Sequence, residues 1–563
     1  MKSVYCLACN PKCALAVILV VQSVALSICI VRYSPVNDEF GHFYAGLCYW
    51  RFADTRTFNV NSPLIRSLGT LPAAISDIEV TPVEQPRLHR EEFGLGRKLF
   101  RKSPNEFRIQ LALGRFLVAS FAVSTTFALF SWGSKLAGEE AGLVAAFLWA
   151  FQPQTVAHGC LITTDIATCC LMLVAVWFLT TSTFGRYRDF SFLGILLAAA
   201  ILAKFTAILI LLLLPFRFLE IRCQGKSAVF KLIACGAFTI AFLVVLAAPY
   251  GFVGVGWKIV DYQFNSQAFK AVSSVLKSAS NSLPFDTANR IPLPIAAELL
   301  YGMDRQQLDF ERGLVSYAAG QISNKGWWWF YLYASVVKLP TGAILAIFTA
   351  SMLLMFRPRK YGEGLGVPLL ATALILLATA QQSGFAQQHR YILPAYPFIF
   401  ICVGATCSRA RQGKYRSLGN AILFFTFLSF SGFLVSAPNW LSAFNLYSGG
   451  VRSGFKCLYN DASDWGQDSY LISAWIRDHQ GTRPIYVQSH TSGHEELRAL
   501  DSAEFLDFPG SVSRLEHPCW LVVSKSDYVS DPLLSSELDN LQVSQFLGGT
   551  HLIYCLDASQ PRN

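Results

Sequence analysis

Residues 13–40 read CALAVILVVQSVALSICIVRYSPVNDEF: a largely apolar run free of charge, one arginine, a short stretch around Pro35, and then two adjacent carboxylates, Asp38 and Glu39. Coiled as a helix, Cys13 to Val31 is long enough to cross a hydrocarbon core of roughly 30 Å. Lys2 and Lys12 give the run the basic flank of a signal peptide, but no small-x-small cleavage site follows, so it reads as an uncleaved first span. The paired acids then stand where membrane meets water.

Working outward, apolar segments of similar length recur as far as Ala437, and the 563 residues are 53% apolar and 15% charged with a mean hydropathy of +0.40. Such a surplus must meet lipid, which excludes a water-soluble enzyme of this size. Spans are expected at 13–32, 112–134, 140–157, 161–183, 190–204, 206–221, 229–252, 328–355, 365–381, 391–407 and 418–437. The expected fold class is an all-α polytopic membrane protein of about eleven helices, with a large first loop and a small C-terminal α/β domain.

The net charge of +10 does not indicate a nucleic-acid partner, because Lys and Arg cluster between the apolar segments. Arg186 and Arg188; Arg217, Arg222 and Lys226; Arg357, Arg359 and Lys360; and Arg409, Arg411, Lys414 and Arg416 all fall on the side of Lys2 and Lys12 if the spans number eleven. That side is the cytoplasm. The short stretch 190–221 then needs two helices turning at Lys204. The transmembrane part runs over 1–437 and the C-terminal domain over 438–563. Together with the loops 33–111 and 252–327, that domain is expected to face away from the cytoplasm, in a cell (inner) membrane.

In the first loop Phe40, Phe43, Tyr44, Leu47 and Trp50 recur at helical spacing, as in a helix lying along the membrane surface. Arg97, Lys98, Arg101, Lys102 and Arg108 read as a solvated basic face or a surface for anionic headgroups. Cys6, Cys9 and Cys13 look like half a metal site, but no second pair follows, and reduced cytoplasmic thiols are the plainer reading. Cys457, Cys519 and Cys555 allow at most one disulfide among themselves. In the tail, Asp468 to Gln480 reads as an amphipathic helix, and Pro484 to Gln488, Trp520 to Ser524 and His551 to Leu556 read as strands.

The acids and cations concentrate on one rim. Asp38, His158, Asp165, Lys204, Lys338, His389 and Arg390 fall near the outer ends of their helices, with Arg115 close by. Singly, an acid there is a solvated loop end and a cation is a snorkelling side chain. Together they have the composition of a site, and Asp165, inside a span, needs a partner or a task. No P-loop, dinucleotide fingerprint, HExxH or GxSxG motif offers competing chemistry.

At these residues the chain resembles the dolichyl-phosphate-mannose protein O-mannosyltransferase (PMT) superfamily and its bacterial relatives, including the lipid A aminoarabinose transferases, all GT-C type membrane glycosyltransferases. The resemblance is carried by Asp38-Glu39 with Gly41-His42; by Pro153, His158 and Thr163-Thr164-Asp165; and by Ala203-Lys204-Phe205, where Ala203 replaces the usual Thr. It continues through Trp327 to Val337-Lys338-Leu339-Pro340, His389-Arg390-Tyr391-Ile392-Leu393-Pro394, and Asp464-Trp465-Gly466-Gln467-Asp468. It runs through nearly the whole chain and implies a bacterial-type member. Asn460-Asp461-Ala462-Ser463 departs slightly from the signature preceding that last motif.

The resemblance implies an inverting transfer of a sugar from a polyprenyl-phosphate donor to a protein, lipid or glycan acceptor. Asp38 would be the general base, assisted by Glu39, with Asp165 orienting groups nearby. Lys204, Arg390, and also Lys338 and Arg115, would hold the lipid phosphate, with His158 and His389 beside them. Some relatives bind a divalent metal there and others need none; no ligand set is evident, so metal is left open. Two other classes fit many helices with charges: a transporter or flippase of lipid-linked sugars, and a catalytically inactive binder. A transporter is expected to place its groups at the midplane and to show internal repeats, and neither is seen here.

Overall fold

The computed structural model describes residues 10–84, 90–215, 227–282, 292–381, 384, 387–459, 463–490, 494–499 and 504–557. The basic cluster Arg217, Arg222 and Lys226, together with Lys2, Cys6, Cys9 and Asn460-Asp461-Ala462, lies outside the described residues.

The chain is predominantly helical, and its apolar helices make it an integral membrane protein. Pro11–Arg32, Pro104–Ala137, Ala228–Tyr250, His389–Arg411 and Arg416–Ser436 are long and apolar enough to cross a membrane. Asp165–Thr181, Thr341–Phe356 and Gly366–Gln381 are shorter apolar helices. Several expected spans are broken. The 140–157 segment is two helices, Glu139–Ala150 and Pro153–Gly159, and the Gln152 side chain caps the second by accepting from the Thr155 N–H at 2.6 Å. The 328–355 segment divides into Phe330–Lys338 and Thr341–Phe356 around Leu339-Pro340. Proline explains both breaks, since it lacks an N–H and pushes the preceding residue out of helical geometry.

The 161–183 helix begins only at Asp165, and Lys204 sits in extended backbone between the helix Tyr187–Ala203 and the 3₁₀ segment Phe205–Leu213. Residues 160–164 and Lys204 are buried in protein, where non-helical backbone at membrane depth is tolerated.

Two expectations for the first loop are corrected. The aromatic face of Asn37–Phe52 does not lie along a membrane: Phe40, Phe43, Tyr44 and Leu47 are buried, and Trp50 alone of that set is exposed. The helix Glu91–Lys102 and Phe107 cover them, with Phe40–Phe100 and Phe43–Phe107 ring centroids 5.7 and 4.4 Å apart. A protein partner buries this apolar stripe on all sides, which a lipid surface does not. Nor is the basic stretch simply solvated. Arg97 pairs with Glu496 of the tail at 3.2 Å, and the Arg108 guanidinium lies 4.7 Å from the Tyr470 ring centroid.

In the tail the expected strands form, as Ile485–Gln488, Cys519–Ser524 and His551–Leu556, and the expected helix is Ser469–His479. Counting the hairpin Ser316–Ala318 (β1) and Gln321–Ser323 (β2) first, the tail strands are β3 Ile485–Gln488, β4 Leu506–Asp507, β5 Cys519–Ser524, β6 Gln545–Leu547 and β7 His551–Leu556. They form one mixed sheet in the order β4-β3-β5-β7-β6, with β3 and β5 parallel. Period-two alternation gives the sheet two apolar faces. Tyr486, Leu521, Val523 and Leu552 pack on one; Ile485, Val487, Val522 and Ile553 pack on the other beneath Ile472, Trp475 and Ile476 of the helix. Cys457, Cys519 and Cys555 are unpaired.

The three large pieces between and beyond the spans meet. The Ser34 and Asn37 N–H groups donate to the Gln467 and Trp465 carbonyls at 2.9 and 3.1 Å, and the Tyr470 N–H donates to the Ser34 hydroxyl at 2.7 Å. Ala318 bridges Leu458, and Arg90 pairs with Asp309. The first loop also docks on the helix Pro104–Ala137 through a close backbone approach, since a Cβ at Gly114 would lie 1.8 Å from the Gly69 carbonyl oxygen. Gly114→Ala is therefore expected to lower the unfolding midpoint of the detergent-solubilised protein, corresponding to about 1–3 kcal/mol of overpacking. Gly236→Ala, which meets nothing within 4 Å, serves as the control. Equal midpoints for the two variants would show that the loop does not dock this way.

Candidate functional site

Four segments far apart in sequence bring charge to one place. Asp38 stands in the first turn of Asn37–Phe52, and Asp165 opens the helix Asp165–Thr181. Lys204 follows the break after Ala203, and Arg390 lies in the 3₁₀ segment His389–Ala395. Lys204 Nζ donates to Asp165 Oδ1 at 2.7 Å. Arg390 spans both acids, donating to Asp38 Oδ2 at 2.8 Å and lying 3.8 Å from Asp165 Oδ2. Aromatic faces bound the cations, with Trp465 4.2 Å from the Arg390 guanidinium and Tyr391 4.2 Å from Lys204 Nζ. All four charged residues line a cavity of about 120 Å³. The Asp165 side chain is 2% exposed, whereas that of Asp38 is 19% exposed, so Asp38 is the acid that faces the opening.

Glu39 and Arg115 form a second, separate pair. Glu39 is fully buried, and its carboxylate accepts from Arg115 Nε at 2.9 Å, from the Ile162 N–H at 2.8 Å and from the Val36 N–H at 3.0 Å. The remaining donors of the Arg115 guanidinium go to the carbonyls of Ile30, Tyr33 and Ser34. Neither residue lines the cavity. Arg115, expected beside the lipid phosphate, points its donors at Glu39 and backbone oxygens instead.

Lys338, His158 and His389 are buried near the same rim, but they too lie outside the lining. Lys338 Nζ donates to the Leu441 carbonyl at 3.0 Å and sits over the Phe444 ring. His389 Nε2 meets the Tyr396 hydroxyl at 2.8 Å, and the His158 ring lies 6.0 Å from Trp465.

His42, part of the acidic first-loop motif, lines the cavity, and so do residues not singled out from sequence: Asn61, Arg90, Phe93, Gln306, Asp309, Phe310 and Gln388. Gln388 adjoins the motif of Arg390 and was legible there. Arg90 and Asp309 were not, because they belong to different loops and only the fold joins them. Among the described residues no group of three or more His, Cys, Asp or Glu is close enough to hold a metal ion. Asp38 and Asp165 each face a cation.

Residues 107–250 match the family described as dolichyl-phosphate-mannose-protein mannosyltransferase. That segment is PMT-like. It contains Arg115, His158, Asp165 and Lys204, so half of the charged cluster comes from the PMT-like segment, while Asp38 and Arg390 come from either side of it. No curated protein matches the sequence. Among solved structures, the chain is similar to ArnT from Cupriavidus metallidurans bound to undecaprenyl phosphate. That match has a TM-score of 0.46 and 12% identity, over 97% of this chain and 99% of the other. It is also similar to the archaeal oligosaccharyltransferase AglB from Archaeoglobus fulgidus in complex with an inhibitory peptide and a dolichol-phosphate. There the TM-score is 0.40 and the identity 12%, over 98% of this chain and 75% of the other.

Two outcomes follow from this geometry. Glu39→Gln strands a buried guanidinium and should cost about 3–5 kcal/mol of stability. Asp38→Asn leaves Arg390 the Asp165 carboxylate and should cost less; comparable losses of unfolding midpoint would refute the separation of the pairs. Burial lowers the pKa of His42 from 6.5 to about 3, against the opposing pull of Asp38. A histidine held neutral by folding contributes fully above its unfolded value, and that contribution is lost as pH falls from 6.5 toward 3. Stability should therefore fall below pH 6.5 by up to about 1.4 kcal/mol per unit. The decline should become shallower in His42→Gln, with the buried His551, also lowered to about 3, still contributing, as measured by unfolding midpoints between pH 7.5 and 4.5.

Proposed function

We propose that this protein is a membrane glycosyltransferase that takes its sugar from a polyprenyl-phosphate carrier. The observation that carries the reading is the convergence of two carboxylates and two cations, Asp38, Asp165, Lys204 and Arg390, on one cavity. The match of residues 107–250 to the mannosyltransferase family supports it.

The chemistry requires little more than these groups. Asp38, the more exposed acid, takes the proton of the acceptor hydroxyl. The acceptor oxygen forms its bond to the sugar's anomeric carbon as the bond from that carbon to the phosphate oxygen breaks, so the transfer inverts. The electron pair leaves with the polyprenyl phosphate, which departs as an anion without needing a proton. Arg390 and Lys204 hold that anion, and Asp165 keeps both cations in place. Glu39 and Arg115 act behind them by fixing the backbone that presents Asp38. The active face lies outside the cytoplasm, and the acceptor is a protein, a lipid or a glycan. Residues 438–563 form an α/β domain on that face.

The test is transfer of radiolabelled sugar by the purified protein in liposomes from a panel of polyprenyl-phosphate sugars, with a broad extract as acceptor. Asp38→Asn should lower turnover by about 10²–10⁴-fold, and Lys204→Ala should chiefly raise the KM for the donor. Full turnover by the Asp38 variant would overturn the base assignment. Uptake into the vesicles without transfer to any acceptor would instead identify a transporter.

A further inference from the structure

The cavity has a second polar wall that the proposed transfer does not use. Arg90, just ahead of the helix Glu91–Lys102, pairs with Asp309 of Ala297–Arg312. Arg305 lies 4.0 Å from the same carboxylate, and Arg90 also lies 3.9 Å from the buried Glu92. Of these charged groups Arg90 and Asp309 line the cavity, and Gln306 and Asn61 join them there as amides. Aromatic side chains, Phe93 and Phe310 among them, line the same cavity.

The two sets of residues suit different chemistry. Lys204 and Arg390, held in place by Asp165 and Asp38, offer an ammonium and a guanidinium, the donors that suit a phosphate. The Arg90–Asp309 wall offers a carboxylate that accepts, a guanidinium that donates and amides that do both, which suits neutral vicinal hydroxyls. A sugar ring also has apolar C–H faces, which aromatic side chains cover. Both sets of residues line one cavity of about 120 Å³, so a donor with its phosphate at Lys204 and Arg390 has Arg90, Gln306 and Asp309 within the same cavity for its sugar.

We infer that Asp309, Gln306 and Arg90 form the subsite that reads the hydroxyls of the donor sugar. The inference rests on the glycosyltransferase reading and adds to it the residues that set sugar preference. A site built to bond a hydroxyl discriminates strongly against a ligand that lacks it, because its own buried polar groups are then left unpaired.

The test separates sugar from phosphate by comparing the binding of two probes to the purified full-length protein in detergent. One is bare undecaprenyl phosphate; the other is a panel of undecaprenyl phosphates bearing mannose, glucose or arabinose. Wild-type protein should bind at least one sugar-bearing lipid more tightly than the bare one. Asp309→Asn should weaken that preference by about tenfold, with affinity for bare undecaprenyl phosphate kept within about twofold. Gln306→Ala, which breaks no ion pair, should act in the same direction and controls for damage to the fold.

Equal loss for both probes, or an unchanged preference in both variants, would overturn the subsite. So would a wild-type protein that binds no sugar-bearing lipid better than the bare one. If bare undecaprenyl phosphate binds in a Lys204-dependent way while the variants fail to discriminate, only the subsite falls. If wild-type protein binds none of the lipids, the carrier reading falls as well.

Discussion

The buried Glu39–Arg115 pair joins the two segments that present the cavity's acids, Asp38 and Asp165. Through Arg115 it grips the carbonyls that end the first membrane helix, and through Glu39 it holds the Val36 N–H and the Ile162 N–H. Val36 precedes Asp38, and Ile162 precedes Asp165, so one ion pair sets the starting points of both catalytic candidates. Taking two charges out of water is costly, and such a pair is sustained only when the remaining donors and acceptors are satisfied. Here backbone groups satisfy them, which is also why the pair is unsuited to substrate: a ligand would have to displace bonds that hold the helix ends.

The same logic accounts for the tail motif. Gln467 accepts from the Trp465 N–H and donates to Ser442, while Asp468 accepts from Gly549 and Thr550, so the Asp464-to-Asp468 turn is pinned to the tail sheet. Its Trp465 then reaches the Arg390 guanidinium and the backbone of Asn37. The motif acts as a brace: it couples the tail to the cavity without lining it. In the same way Arg97 and Arg108, whose charges suggested lipid headgroups, dock the first loop to the tail. Local charge has been recruited for assembly.

Breaks in the helices do the positioning. Asp165, Lys204 and Arg390 each occupy a point where regular α-helix starts, stops or tightens into 3₁₀ geometry. A charged side chain at such a point reaches a cavity from the end of a span instead of from its lipid-facing flank. Buried surroundings supply hydrogen bonds to the freed backbone, as the Glu39 carboxylate does for Ile162.

Much of this was legible in the chain. Apolar runs long enough to cross a bilayer, proline and lysine at their interruptions, and period-two alternation in the tail each report a local rule, and the helices and strands follow them. Asp38, Asp165, Lys204 and Arg390 stood out because charge near an apolar span is expensive and calls for a reason. Sequence could not assign partners. Glu39 lies beside Asp38 in the chain yet turns the other way, because successive helical residues point about 100° apart; Arg90 and Asp309 signalled nothing until two loops met. The sequence by itself determined which residues are costly to bury. Only the tertiary structure decided which of them are satisfied by one another and which are left facing the cavity, because pairing depends on contacts between segments hundreds of residues apart.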